Sequence, residues 1–251
     1  MDLGNDMTTP NLTRLMDVTT NAQAIRTHLA DILRETNGQV HFRPTSRGVT
    51  MVSLLDTSPQ LGRGPYDAAH LAKTFAEAFE RSFRKTPARL TPEKRVQSFL
   101  IGDAYRHERR MAVLGVGELL FITDELALLQ ESGRQVVCDI LAFRPNPADE
   151  SLGVPVLIEL KSARQLTRLV VQLTSYAQLM TRYAEAFARL YTAVLGRHIR
   201  FTGPPECWLV WPALGSLLAP DSHAAELRER GVGVIQYTPL EPPFQFGVSP
   251  V

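Results

Sequence analysis

The sequence predicts an α/β fold: a mixed central sheet flanked by helices, preceded by a small N-terminal α-β-β-α unit. Two observations carry this prediction. From residue 92 onward the apolar periodicity changes in the order helix, three strands, helix, strand, helix, strand. Short loops join the first three strands, which indicates an antiparallel meander, whereas a long helical stretch supplies a right-handed crossover to the next strand.

The length of 251 residues and the apolar content of 44% suit one main domain with a smaller appendage. We place the boundary between an N-terminal α+β unit of residues 1–88, to which no role is assigned, and a main domain of residues 89–251. No apolar run reaches the roughly 20 residues of a membrane span, and MDLGNDMTTPNL lacks the pattern of a signal peptide. We therefore expect no membrane association and a cytoplasmic location. Cys138 and Cys207 lie far apart within apolar segments, which suits small buried hydrophobic residues better than a disulfide framework or a zinc site.

The elements of the N-terminal unit follow from periodicity and capping. Residues 1–18 show no clear period and are expected to include a frayed tail. A helix follows, with Thr20 or Asn21 as its N-cap and Gly38 at its end. QVHFRP and GVTMVSLL form two short strands, and DAAHLAKTFAEAFERSFRK places an apolar residue at every fourth position, which predicts a second helix.

The main domain begins with a strong helix start, since Thr91 can cap the helix and Pro92 suits its first position. This helix is predicted to reach about Leu114. The strands GELLFITDELALL, GRQVVCDILAFR and VPVLIELKSA follow, and then a helix from Gln165 to about Leu195. The remaining elements are the strand ECWLVWPAL, the helix HAAELRERG and the strand VGVIQYTPL, before a proline-rich tail.

The charge distribution indicates a nucleic-acid partner only locally. The net charge is +1, but the segment from Arg81 to Arg110 is rich in Lys and Arg. Clustered arginines bind phosphate backbones, because counterion release drives that association. A solvated helix face explains the same cluster equally well.

Three charges interrupt apolar strands and carry the chemistry. Asp139 lies in VCDILAF, where a period of two places it with Val137 and Leu141, and the same period places Glu159 and Lys161 on one face of VPVLIELKSA. An unpaired buried carboxylate is costly, so each needs a partner. Carboxylates from two neighbouring strands suit Mg²⁺ or Mn²⁺, and a neighbouring lysine can orient a water molecule or neutralise developing charge. An ion pair that satisfies only itself is the alternative.

The order of Asp139, a hairpin loop, the strand-borne Glu159-Leu160-Lys161 and then a helix resembles the core of the PD-(D/E)XK nuclease superfamily. The resemblance extends from about residue 90 to residue 211 and implies a restriction-endonuclease-like α-β-β-β-α-β core. It implies that Asp139, Glu159 and the Leu160 carbonyl bind metal and that Lys161 is the catalytic lysine. Gln172 and Tyr176 resemble the Gln-x-x-x-Tyr motif of the RecB-type branch, which implies that they support the site and contact nucleic acid. Packing of Tyr176 in the core is the alternative.

Members of this superfamily often take a further ligand from the first helix. Glu93 is preferred here, with Glu108 as an alternative and His107 as a third possibility. Glu125, on the preceding strand, can reach the same rim or pair with Lys161. Arg164 and Arg168 begin the helix after the Glu-x-Lys strand and are candidate phosphate contacts, although helix-face salt bridges explain them as well.

The sequence therefore leads to a Mg²⁺- or Mn²⁺-dependent nuclease that hydrolyses phosphodiester bonds, with DNA as the preferred substrate. A catalytically inactive module that keeps the fold and binds nucleic acid or a protein is the alternative, and an unrelated α/β domain whose charges merely pair is a third. A homodimer or a larger complex is compatible with either of the first two.

Overall fold

The N-terminal part of the chain folds as two helical segments, a hairpin and a further helix. A computed structural model describes residues 8–56, 59–62, 64–83, 90–162, 166–213, 222–238 and 242–248. In it, α1 (Thr8–His28) and α2 (Ala30–Glu35) precede the antiparallel strands β1 (Val40–Thr45) and β2 (Gly48–Ser53), the short strand β3 (Gln60–Leu61) and α3 (Ala68–Phe83). The helix, hairpin and helix agree with the predicted order.

The predicted helix start at Thr20 or Asn21 is wrong, because α1 begins at Thr8. Residues 1–7, in the segment expected to include a frayed tail, lie outside the described residues. Leu15 and Val18 are buried in the main core. Asn11 is also buried, and its side chain donates to the carbonyl of Leu129 at 2.9 Å and accepts from the amide of Leu129 at 2.8 Å. Helix α1 contacts α3, α6, β1, β2 and β4. Its buried residues Asn11, Leu15, Val18, Ala22 and Ile25 recur every three or four positions and form one stripe, which includes the polar Asn11.

The second part of the chain builds the large sheet. Its elements are α4 (Pro92–Arg106), a short 3₁₀ helix (Ala112–Leu114), β4 (Leu120–Leu129), β5 (Gln135–Asn146), β6 (Asp149–Leu160), α5 (Leu166–Arg182), α6 (Ala184–Leu195), β7 (Arg200–Phe201), β8 (Glu206–Pro212), α7 (Ser222–Glu229), β9 (Val232–Thr238) and β10 (Gln245–Val248). The strand order is β10-β9-β8-β6-β5-β4, and β7 pairs with β6.

The predicted topology is confirmed. Strands β4, β5 and β6 form an antiparallel meander, whereas β6, β8 and β9 are parallel, so the sheet is mixed and its parallel strands are joined through helices. Three boundaries differ from the prediction. Helix α4 ends at Arg106, the long helix is interrupted at Tyr183, and part of the proline-rich tail forms β10.

Apolar side chains cover both faces of the sheet. On one face, α1, α5, α6 and α7 pack in a cluster that contains Leu173, Phe187 and Trp211. On the other face, α4 packs with the aromatic residues around β10. The fold is therefore a mixed sheet flanked by helices, as the sequence predicts.

The N-terminal unit contacts the main sheet through buried polar bonds. The Tyr105 hydroxyl of α4 donates to the carbonyl of Phe42 at 3.0 Å, and the Thr123 hydroxyl of β4 donates to that of Pro44 at 3.2 Å. These bonds join β1 to the edge strand β4 and to α4. Among the described helices, none combines the length and apolar character that a membrane span requires.

Candidate metal centre

The ends of β5 and β6 bring Asp139 and Glu159 together. The last pair of the β5–β6 ladder is Ile140 with Ile158, so the next residue on each strand lies just beyond it. There the Asp139 side chain replaces a ladder bond, since its Oδ2 accepts from the backbone amide of Leu160 at 2.8 Å. The carboxyl group of Asp139 is thus fixed at the end of β6.

Glu159 is held from two sides. It is 1% exposed, and its Oε1 accepts from the Lys161 ammonium at 2.7 Å and from the Gln172 amide at 2.7 Å. The second oxygen, Oε2, is buried and has no hydrogen-bond partner among the described residues. A buried carboxylate oxygen normally has a partner, and a bound ion or water molecule would supply one here.

Asp139 and Glu159 bring two carboxyl groups to the site, whereas Lys161 brings one ammonium group. Burial, and then the charge of Asp139, raise the pKa of Glu159 to about 7. Burial also raises the pKa of Asp139, against the opposing effects of the Leu160 amide and of Lys161. Burial lowers the pKa of Lys161, but the charge of Glu159 and its hydrogen bond outweigh burial, so the pKa is raised overall. Lys161 therefore stays protonated while two carboxylates crowd one ammonium group.

These donors fit a hard divalent cation. Two carboxylates, one of them with an unpartnered oxygen, are ligands that Mg²⁺ and Mn²⁺ prefer. Within the part of the chain that the structure describes, no group of three or more His, Cys, Asp or Glu side chains could hold a metal ion. Side-chain ligands would therefore come from Asp139 and Glu159, with the Leu160 carbonyl as the neighbouring backbone donor.

The structure separates the candidates for a further ligand. Glu93, at the start of α4, accepts from the amide and the hydroxyl of Ser162 at 3.0 and 3.1 Å, directly after the Glu-x-Lys strand. It lies beside the site without joining a three-carboxylate cluster. Glu108 is exposed past the other end of α4, roughly 20 Å away at 1.5 Å per residue. His107, at the same end, pairs with Asp103 at 3.2 Å.

Glu125 reaches the same edge from β4, but its partner is not Lys161. It forms an ion pair with Lys94 of α4. Its φ of +51° is in the left-handed region, which is unusual for a residue other than glycine. The β4–β5 register pairs Asp124 with Ile140 and Leu126 with Cys138, so the left-handed residue faces Asp139 across the strands.

Gln172 and Tyr176 of α5 have different surroundings. Gln172 donates to Glu159 and also to the carbonyl of Val137 at 2.8 Å, so it supports the site. Tyr176 is 1% exposed, and its hydroxyl donates to the carbonyl of Leu126 at 3.1 Å. Tyr176 therefore packs in the core, and the expectation that it contacts nucleic acid is wrong.

Two of the described residues in the basic segment have partners of their own. Arg109 stacks on Tyr105 at 5.2 Å, and Arg110 forms an ion pair with Glu118. Arg84, Lys85, Arg89 and Arg164 lie outside the described residues, and for Arg168 only the backbone is described, within α5. The predicted phosphate contacts of Arg164 and Arg168 stay predictions.

Sequence reasoning missed Gln97 and Lys94. Gln97 is 2% exposed and donates to the backbone carbonyl of Asp139 at 3.3 Å, from the face opposite Gln172. Lys94 donates to the Gln97 side chain at 2.8 Å. A polar residue next to the apolar stripe of α4 was the one available signal.

The strict alternation of side chains that the sequence predicts around Asp139 does not hold in β5. Cys138 and Leu141, three positions apart, pack in the same core cluster.

No protein-family model matches the chain, and no curated protein matches it. Among solved structures, the chain is similar to one of an EndoMS–dsDNA2 complex, at 17% identity and a TM-score of 0.33. The match covers 81% of this chain and 65% of that chain, so this chain spans slightly less than two thirds of the length of the matched protein. A likeness at this level carries no argument about activity.

Proposed function

We propose that this protein is a metal-dependent nuclease that hydrolyses phosphodiester bonds, with DNA as its preferred substrate. The observation that carries the proposal is the buried, unpartnered Oε2 of Glu159 beside the fixed carboxylate of Asp139. Lys161 lies with them, 2.7 Å from Glu159 and 3.9 Å from Asp139. Two carboxylates and one ammonium group at the end of a strand suit phosphoryl chemistry with Mg²⁺ or Mn²⁺.

Each residue has a defined role in this proposal. Asp139, Glu159 and the carbonyl of Leu160 would hold the cation. When bound, the cation would act as a Lewis acid toward the scissile phosphate and lower the pKa of a water molecule. Lys161 keeps its proton, so it donates hydrogen bonds to phosphate oxygens or orients the attacking water. Gln172 holds Glu159 in place by its hydrogen bond to Oε1.

The resemblance to the PD-(D/E)XK superfamily supports the reaction class and is the basis for preferring DNA. That resemblance consists of Asp139 on one strand, Glu159 and Lys161 on the neighbouring strand, and Gln172 on the following helix. The observed topology of helix, antiparallel meander, helix and parallel strand agrees with the order that the resemblance requires.

A catalytically inactive module that binds nucleic acid or a protein is the second candidate. One observation favours it: Glu93 is engaged by Ser162, and the described residues include no three-carboxylate cluster. Such a module would bind DNA with a strong salt dependence and without turnover.

Metal-dependent cleavage separates the two candidates. Metal-free protein is incubated with Mg²⁺ or Mn²⁺ and labelled single- and double-stranded DNA, and initial rates are compared among the wild type, Lys161→Ala and Asp139→Ala. We expect cleavage by the wild type and a loss of about 100-fold or more in each variant, the scale seen when one transition-state donor is removed. Arg230→Ala is the matched control, since Arg230 is exposed and pairs with Glu226 on α7.

The control should cleave at the wild-type rate. If the wild type cleaves neither DNA with either cation, or if the two site variants cleave as fast as the wild type, the nuclease proposal fails.

A further inference from the structure

Gln97 joins the candidate metal centre to a buried polar network. Its side-chain amide donates to the backbone carbonyl of Asp139 at 3.3 Å and to Oδ2 of Asp124 at 3.1 Å. Its carbonyl oxygen accepts from the ammonium of Lys94 at 2.8 Å. A side-chain amide has an NH₂ group that donates and an oxygen that accepts. When the amide is buried, the neighbours that accept and donate therefore fix its orientation.

Asp124 is the neighbour that decides that orientation. A carboxylate only accepts hydrogen bonds, so it turns the NH₂ end of Gln97 toward β4 and β5 and leaves the oxygen for Lys94. Asp124 is itself fixed, because it forms a buried ion pair with Arg43 of β1, with side-chain exposures of 4% and 10%. The network therefore begins in the N-terminal unit and ends at the backbone of Asp139.

Asp139 needs this support because the sheet does not provide it. The β4–β5 ladder has pairs on both sides of this position but none between Glu125 and Asp139, where Glu125 is in the left-handed conformation. The β5–β6 ladder ends at Ile140 and Ile158. A backbone carbonyl without a ladder partner needs another donor, and Gln97 supplies one.

We propose that Gln97 is a positioning residue for the candidate metal centre, and that the N-terminal unit acts on the centre through it by way of the Arg43–Asp124 pair. This proposal rests on the proposed nuclease function, since it assigns the N-terminal unit a role in the same site. Groups that orient metal ligands typically change metal affinity by 10- to 100-fold when they are lost.

The test removes the network while it preserves the packing. The double variant Arg43→Met/Asp124→Leu replaces a buried ion pair by apolar groups of similar volume, a change that is often neutral for stability. Gln97→Met removes the amide itself at similar volume. Thr123→Val is the matched control, because it removes the buried bond to the Pro44 carbonyl, which joins the same two units next to Asp124 but outside the network.

Mn²⁺ binding is measured by calorimetry on metal-free protein, with the melting temperature and the kcat and KM for DNA cleavage on the same samples. We expect Kd for Mn²⁺ to rise about tenfold in the double variant and in Gln97→Met, and to change less than about twofold in Thr123→Val. We also expect kcat to fall while KM for DNA stays the same. A purely structural role would instead change the melting temperature without this pattern.

The outcomes are distinguishable. If the wild type binds Mn²⁺ and cleaves DNA, and both network variants bind Mn²⁺ as tightly as the wild type, the positioning role is overturned and the nuclease function stands. If the double variant does not fold, Gln97→Met alone decides. If the wild type neither binds Mn²⁺ nor cleaves DNA, the nuclease function fails and the positioning role fails with it.

Discussion

At the scale of one residue, Glu159 is the group of the candidate metal centre that we expect to reduce stability. Its carboxyl group is buried, shares the site with Asp139, and has one oxygen without a partner. A group whose pKa is raised in the folded state binds its proton more tightly there than in the unfolded chain. Its contribution to stability is therefore complete below its unfolded pKa and is lost as pH rises through about 7.

Glu159→Gln should remove this pH dependence. In the presence of a chelator, the variant should unfold with a free energy similar to that of the wild type at pH 4.5 and about 3 kcal/mol higher at pH 8, because it carries no buried charge. Denaturant titrations at both pH values give the difference.

Mg²⁺ or Mn²⁺ should reverse the order at pH 8, since the cation stabilises the wild type by mass action and loses one of its two carboxylate ligands in the variant. If the two proteins have the same pH dependence without metal, the charge of Glu159 does not destabilise the fold.

The charged residues of the site could be predicted from the sequence, whereas their supporting residues could not. Asp139, Glu159 and Lys161 stand out because each interrupts an apolar strand. Gln97 does not stand out, because a glutamine on an amphipathic helix normally faces solvent. Its partner Asp124 is held by Arg43, 81 residues away in the chain, and no local pattern shows that contact.

At the scale of the element, α5 carries two polar residues four positions apart with separate tasks. Gln172 bonds to Glu159 and to β5, whereas Tyr176 points into the core and satisfies the carbonyl of Leu126. Gln172 and Tyr176 share one helix face, as the sequence predicts. They differ in position along the sheet, because Tyr176 packs under it and Gln172 lies near its end.

Gln172→Met and Tyr176→Phe should therefore separate activity from stability. Gln172→Met should lower the cleavage rate at least tenfold with little change in melting temperature, since Glu159 loses an orienting donor. Tyr176→Phe should lower the free energy of unfolding by about 1–2 kcal/mol, because the carbonyl of Leu126 loses its partner, and should leave cleavage per folded molecule unchanged. Equal losses of activity in the two variants would contradict this division.

Element boundaries follow from the sequence where local chemistry sets them. The Thr91 hydroxyl accepts from the amide of Lys94 at 3.3 Å, and Pro92 occupies the first position of α4, as the sequence predicts. The start of α1 at Thr8 escaped prediction because its buried stripe includes the polar Asn11 and the small Ala22, whereas the large apolar Met16 is exposed. The break at Tyr183 also has no signal, since neither Gly nor Pro marks it.

At the scale of the whole molecule, the N-terminal unit and the main domain share a buried boundary. His41 of β1 stacks on Tyr105 of α4 with ring centroids 4.5 Å apart, and its Nε2 bonds to the carbonyl of Gly38 at 2.7 Å. Burial lowers the pKa of His41 to about 4, and the charge of Arg109 adds to this against the Gly38 bond. The stability from neutral His41 is therefore complete above pH 6.5 and is lost as pH falls toward 4.

This boundary should weaken in acid. Between pH 7 and pH 5, the wild type should lose about 2 kcal/mol more of its free energy of unfolding than His41→Phe, which keeps the ring stack but cannot take up a proton. Denaturant titrations of both proteins measure this difference, and parallel pH profiles would show that His41 is not held neutral by burial.

The central claim is that Asp139 and Glu159 share one divalent cation at the end of β6. Anomalous diffraction from crystals of the wild-type protein soaked in Mn²⁺, at a concentration that supports cleavage, tests it most directly. We predict one Mn²⁺ peak about 2 Å from oxygen atoms of both carboxylates and of the Leu160 carbonyl, and no such peak in Asp139→Ala. A Mn²⁺ ion bound elsewhere, or none between the two carboxylates, would contradict the account.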